Sequence, residues 1–221
     1  KSKNSVRIDN PIDSTKPNMR ESLKASLLEN LTYNERRQQD SIKLFEISDL
    51  YSVSNKKIIK KRNLGVIAAG RVDKNFKNFN KKIDKTFFDN IFSKYIKNFD
   101  NYLDEIPREI IKSKLKSKIV FFEININEIH DDILGYEPLV KKPKEFITLK
   151  EVSEYPSVFR DLSFSVKDFS QIHLLEKLIM EYSDECINDV FIFDFFHNEK
   201  NSEVKIGFRF RFKADKTLTD L

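Results

Sequence analysis

Hydrophobic positions along the chain change period several times, and each change marks an element. In "MRESLKASLLENLTYNERR", Leu23, Leu27 and Leu31 fall four apart with Leu28 beside them, which makes one apolar helical face. Pro11 and Pro17 mark turns ahead of it, and Asn18 is placed to cap a helix starting near Met19. Arg36 and Arg37 stand in its last turn, where cations suit the helix dipole. Residues 42–53, "IKLFEISDLYSV", are rich in β-formers. The turn-like "SNKK" follows, then "NLGVIAAGRV", so the pattern predicts an antiparallel hairpin with a basic loop.

Residues 73–85 carry too little periodicity for a regular element. Beyond them helical spacing returns: Phe88, Ile91, Phe92, Tyr95, Ile96, Phe99, Tyr102 and Leu103, with Thr86 and Asp89 as a capping pair and Pro107 past the end. This aromatic stripe is expected to be packing. "KIVFFEINI" then alternates Val120, Phe122, Ile124 and Ile126 on one side of a strand. "YEPLVKKPKEF", with two prolines among lysines, reads as a connector, giving a first unit over 1–138, a linker over 139–150 and a second unit over 151–221.

In the second unit, "RDLSFSV" is a strand with Leu162, Phe164 and Val166 facing one way. Ser170 is placed to cap a helix bearing Ile172, Leu175, Leu178, Ile179 and Tyr182, and "DVFIFDFF" is the next strand. The clearest alternation is in "SEVKIGFRFRF", where Val204, Ile206, Phe208, Phe210 and Phe212 interleave with Glu203, Lys205, Gly207, Arg209 and Arg211. One face is buried and the other is wet and mostly basic. Strand, helix, strand, strand is three quarters of a split β-α-β unit, with the missing helix and strand expected beyond Leu221. The fold class is therefore α+β.

A basic open sheet face is how RNA-recognition sheets of this topology are built. Ser163, Ser165, Lys205, Arg209 and Arg211 are expected on it, with Arg160 at the mouth of its first strand. Arg160 and Asp161 also read as a local ion pair. If Asp194 faces water, Phe191, Phe193 and Phe195 are core, while Ile192 and Phe196 lie on the open face and Phe196 is the stacking platform.

Composition narrows the classes. Across 221 residues, 39% hydrophobic and 34% charged, the chain is globular in character. The 40 bases offset by 35 acids leave +5, a weak attraction for phosphate backbones. A single Cys186 suits a reducing cytoplasm and excludes an internal disulfide framework. Runs such as "LGVIAAG" are too short to span a bilayer, so no membrane partner is expected. The chain opens on "KSKNSVRIDN" without Met or an apolar leader and stops at "DKTLTDL", as expected of a fragment of a longer polypeptide. His130, His173 and His197 are scattered, and Asp131 and Asp132 beside His130 read as a solvated loop. No metal site and no catalytic residue is expected.

"EYPSVFRDLSFSV", "VFIFDFF" and "DKTLTD" resemble the ferredoxin-fold, anticodon-binding domain that ends the beta subunit of bacterial phenylalanyl-tRNA synthetases. "NPID…MRESLKASLLENL" and "LFEISDLY" resemble the catalytic-like module of the same subunit. The resemblance implies a class II synthetase-like antiparallel sheet for the first unit, degenerate and non-catalytic, supporting an alpha subunit. It implies tRNA for phenylalanine as the second partner. ATP and magnesium serve the whole enzyme, and none is implied within this chain. Arg20 and Arg71, which are similar to class II arginines that hold ATP, are expected to serve packing or subunit contacts. An alternative from another class is an amino-acid-sensing regulatory module, since ferredoxin-like units also bind small molecules. A third, a stand-alone enzyme, would need a site that the residues do not supply.

Overall fold

The computed structural model describes residues 5–113, 115–129, 151, 153–198, 200 and 203–218. Contacts divide the chain into two units, Lys1–Val72 with Asn80–Glu137, and Asp73–Phe79 with Pro138–Leu221. Both are α+β with antiparallel sheets. The expected connector over 139–150 lies outside the described residues, as do His130, Asp131 and Asp132.

In the first unit, β1 (Ser41–Ser54) and β2 (Lys57–Gly70) form the expected hairpin. Asn55 and Lys56 join them with φ of 50° and 60°, the twist that matches a two-residue hairpin turn to its strands. The sheet order is β1-β2-β4-β3, with β3 at Leu103–Ile106 and β4 at Ile119–Asn125. Helix α1 (Lys24–Glu35) lays Leu23, Leu27 and Leu31 against Ile42, Ile67, Ile119 and Phe121 on one face. On the other face, Phe88, Ile96 and Phe99 pack against Val120, Phe122 and Ile124. β4 is thus buried on both sides, whereas its sequence was expected to bury one. Ile126 falls beyond the strand, in a 3-10 turn.

Helix α1 starts later than Met19 because the chain before it is extended. Met19 donates to the Val6 carbonyl, and the Arg20 carbonyl accepts from Tyr51 on the edge of β1. No side chain on the helix's own N-cap satisfies its first turn. Glu123 of β4 accepts from the Leu23 amide at 2.9 Å and the Ser22 hydroxyl at 2.7 Å, and that Ser22 hydroxyl accepts from the Lys24 amide at 3.1 Å. A β-carbon on Gly65, next to Glu123 in the sheet, would stand 3.0 Å from Leu23, so the helix rests directly on the strand.

The expected long aromatic helix is broken. Helix α2 covers only Lys85–Phe92, and its cap is Asp84, which accepts from Phe87, rather than Thr86. Asn98 takes φ of 52°, a 3-10 turn follows at Phe99–Tyr102, and Leu103–Ile106 pairs with the free edge of β4. The backbone groups of 103–106 find ladder partners there, and the helical spacing of the side chains does not compete with that. The packing role of the stripe holds.

The second unit has strand order β5-β7-β6, from β5 (Val158–Val166), β6 (Ile187–Asn198) and β7 (Glu203–Phe212), all antiparallel. Placing the third strand between the first two is the split β-α-β arrangement. Asp168, not Ser170, starts the helical segment, accepting from the Ser170 amide and hydroxyl, and α3 then runs Ile172–Glu181. Ile172, Leu175 and Ile179 pack on the sheet; Leu178 and Tyr182 of the expected stripe are exposed. Asp73–Phe79, expected to carry no regular element, includes a short 3-10 turn that inserts Phe76 into this core. Its ring meets Phe169 and Phe195 at 6.2 Å.

Candidate nucleic-acid interface

One face of the second sheet is covered by α3, and the opposite face carries the candidate residues. Strand pairing fixes which is which. Val204, Ile206, Phe208 and Phe210 are buried on the helix side. Lys205, Gly207, Arg209 and Arg211 alternate with them, and directly opposite stand Ser165, Ser163, Asp161 and Phe159 of β5. Ser163, Lys205, Arg209 and Arg211 therefore share the open face, as expected.

Strand β6 departs from simple alternation. Val190 opposes Phe210 and Ile192 opposes Phe208, but the register then slips, so that Asp194 opposes Gly207 and Phe196 opposes Lys205. Phe193 is the extra residue of this bulge, and the bulge reverses the side-chain parity beyond it. Ile192 is consequently core, at 0% exposed, and Phe191 opposes Arg209 on the open side. The expected assignment of these two is thereby reversed. Phe195 is packed on the core and Phe196 lies on the open face at 56% exposed, both as expected.

Phe193 was expected in the core, yet its ring lies over Gly207. A β-carbon built on Gly207 would come within 2.7 Å of that ring, so only glycine lets the ring lie flat on β7. The Arg209 guanidinium stands 4.9 Å from the ring centroid and also donates to both Asp161 oxygens at 2.8 Å. Asp161 thus pairs across strands with Arg209, not with its neighbour Arg160. Lys74 stands 4.9 Å over Phe191. Phe191, Phe193 and Phe196 form an aromatic strip along β6 flanked by cations. Gly207, alone among large residues in its strand, was the signal in the sequence that could have located Phe193.

Arg160 does not join this face. It opposes Phe210, has the parity of the helix side, and donates to the Phe159 carbonyl at 2.9 Å. Arg211 lies 3.8 Å from Asp189 and lines an open, polar cleft of about 680 Å³ with Ser153, Ser157, Glu185 and Lys213. Ser165 donates to Glu203 at 3.0 Å.

The hydrogen bonds from Arg209 hold the Asp161 carboxyl below its ordinary range, and Asp161 raises Arg209 in turn. Because the folded value is depressed, the pair contributes above the unfolded Asp pKa and is lost as pH falls through the folded one. Carbon-detected NMR of Asp161 is expected to show a midpoint below about 3.9, returning toward it in Arg209→Ala. An unshifted midpoint in the parent chain would contradict the pairing.

The remaining candidates are engaged structurally. Arg20 bonds Glu46 at 2.6 Å and Ser48, and buried Arg71 pairs with Asp40. His197 stacks on Phe169 at 4.4 Å, while His173 meets the Ser170 carbonyl at 2.6 Å. Among the described residues, no group of three or more His, Cys, Asp or Glu could hold a metal ion, and no helix is long and apolar enough to cross a membrane.

Residues 1–100 match the family model of the phenylalanyl tRNA synthetase beta chain CLM domain, and residues 153–221 match the ferredoxin-fold anticodon binding domain. The chain is similar to phenylalanine–tRNA ligase beta subunits. It is 26% identical over 264 residues to the chloroplastic beta subunit of Pyropia yezoensis, covering 100% of this chain and 35% of the relative. The beta subunit of Fusobacterium nucleatum is 27% identical over 251 residues, covering 97% and 30%. That of Geobacillus kaustophilus is 23% identical over 245 residues, again covering 97% and 30%. The chain spans about a third of the length of these relatives. The anticodon-binding match falls on the unit that carries the aromatic strip.

Proposed function

We propose that this chain is a non-catalytic portion of a phenylalanine–tRNA ligase beta subunit of bacterial type, which scaffolds the alpha subunit and binds the anticodon region of tRNA during ATP-dependent attachment of phenylalanine. The observation that carries this reading is the strip of Phe191, Phe193 and Phe196 beside Lys205 and Arg209, on a sheet face that no helix among the described residues covers. Unpaired anticodon bases present flat faces that stack on such rings, and cations beside them meet phosphates. Ser163, opposite Gly207, adds a hydroxyl within the same face.

Arg209 serves this site by positioning, since its guanidinium is committed to Asp161 and to the ring of Phe193. Lys205 and Arg211 are the phosphate contacts. Arg160, on the other side of the sheet, is a structural residue.

In this reading residues 1–138 form a class II synthetase-like module, 139–150 a linker and 151–221 the anticodon-binding domain. The module supports the alpha subunit through the face of β1 that leaves Phe45 at 72% exposed, with Ile47 beside it. ATP and magnesium act on the alpha subunit's side of the enzyme, in the cytoplasm or an organelle that charges its own tRNA. The regulatory alternative calls for an enclosed apolar pocket, and the cleft at Arg211 is open and polar.

The test exchanges the anticodon. Transcripts of phenylalanine tRNA with the three anticodon bases replaced by abasic nucleotides are expected to bind at least about tenfold more weakly, since each lost stack is worth about 1–3 kcal/mol. Equal affinity would remove the anticodon reading.

A further inference from the structure

The hairpin of the first unit runs on beyond its sheet. β2 pairs with β4 only from Asn63 to Ala69, whereas its pairing with β1 continues to Lys57. Residues 49–62 therefore make a two-stranded arm, with no third strand beside it among the described residues. Lys56, Lys57, Lys60, Lys61 and Arg62 fall within seven positions of its second half, and all are exposed. Asp49 engages Lys60 at 2.9 Å and Arg62 at 3.0 Å, and those bonds, Lys60's first, hold its carboxyl below the ordinary range.

Lys56, Lys57 and Lys61 have no acidic partner among the described residues. Lys57 opposes Ser54 and Lys61 opposes Leu50, so both project from one side of the arm, with Lys56 at the turn. A lysine or two suffices to keep a strand edge from pairing with another chain. This arm carries more, and carries them on both faces. Protein interfaces are depleted in lysine at their centres, whereas phosphate backbones are met by lysine as a point charge.

We propose that the arm is a second RNA contact, gripping the phosphate backbone of a base-paired stem through Lys56, Lys57 and Lys61. The identification of that stem with tRNA rests on the function proposed above; the phosphate chemistry does not. The contact reads no sequence. It adds salt-dependent affinity to whatever the open face of the second unit recognises.

The experiment uses the chain in the complex from which it is purified and a 20-base-pair RNA duplex of unrelated sequence. Affinity is measured from about 50 to 200 mM salt, the range over which phosphate contacts separate clearly. In the variant Lys56→Asn, Lys57→Gln, Lys61→Gln, where Asn suits the positive φ of residue 56, the slope of log K against log salt is expected to flatten by about 2 to 3. Affinity near 0.1 M salt is expected to fall by roughly tenfold. An unchanged slope overturns the proposal. So does loss of a protein subunit from the variant complex with duplex binding intact, because the arm would then dock a protein. Failure of the anticodon reading appears separately, in the abasic tRNA, and leaves the duplex result standing.

Discussion

Alanine at both Phe193 and Phe196 is expected to weaken tRNA binding by about a hundredfold, from two stacks of about 1–3 kcal/mol each. The two rings sit differently. Phe196 is the more exposed and opposes Lys205, while Phe193 is held flat by Gly207 beneath it and Arg209 beside it. A companion variant, Gly207→Val, separates ring position from ring chemistry. Its β-carbon would stand 2.7 Å from the Phe193 ring and so must displace it, with every RNA-facing side chain retained. It is expected to reproduce most of the loss attributable to Phe193. Circular dichroism checks that both variants keep their sheet. Full binding by a folded double alanine variant would show that the strip is only a solvated surface.

Phe122→Ala is expected to cost about 3–5 kcal/mol of the first unit's stability, as large-to-small changes at fully buried aromatics do. Phe122 is fully buried at the centre of the second face of that sheet. Its ring meets Phe92 at 4.7 Å, Phe99 at 5.0 Å and Phe88 at 5.8 Å, each edge to face, so truncation removes several ring contacts and leaves a cavity. The midpoint of thermal unfolding is expected to fall by roughly 10 °C. A shift of a degree or two would mean that the aromatic cluster collapses to fill the space, and that the core is less tightly specified than its geometry indicates.

Much of this was legible from period alone. Leu23, Leu27 and Leu31 announced α1, and the even residues of 204–212 announced the covered face of β7, because one-sided burial writes a clean alternation. Signals failed where tertiary contacts replaced local ones. The start of α1 is held partly by Glu123, a hundred residues away, and its local mark is only Ser22, whose hydroxyl accepts from the Lys24 amide, rather than the expected Asn18. The stripe from Phe88 to Leu103 has helical spacing, yet its last part serves a 3-10 turn and an edge strand, because the free edge of β4 offers those backbone groups partners. Within β6, alternating aromatics on both parities hid the bulge at Phe193. Period-two reasoning carried back from Asp194 across the inserted residue puts Phe191 and Ile192 on the wrong faces, while Phe195 and Phe196 beyond it keep theirs. Of the candidate residues, Ser163, Phe196, Lys205, Arg209 and Arg211 share one face, while Arg160 stands on the other.

Cross-linking tests the central proposal most directly. The intact complex, bound to phenylalanine tRNA, would be irradiated in the ultraviolet and the cross-linked peptides sequenced by mass spectrometry. Stacked bases cross-link to the rings beneath them, so anticodon-loop nucleotides are expected on the peptide that holds Phe191, Phe193 and Phe196. Anticodon nucleotides attached only to other peptides, with none on β6, would contradict the account.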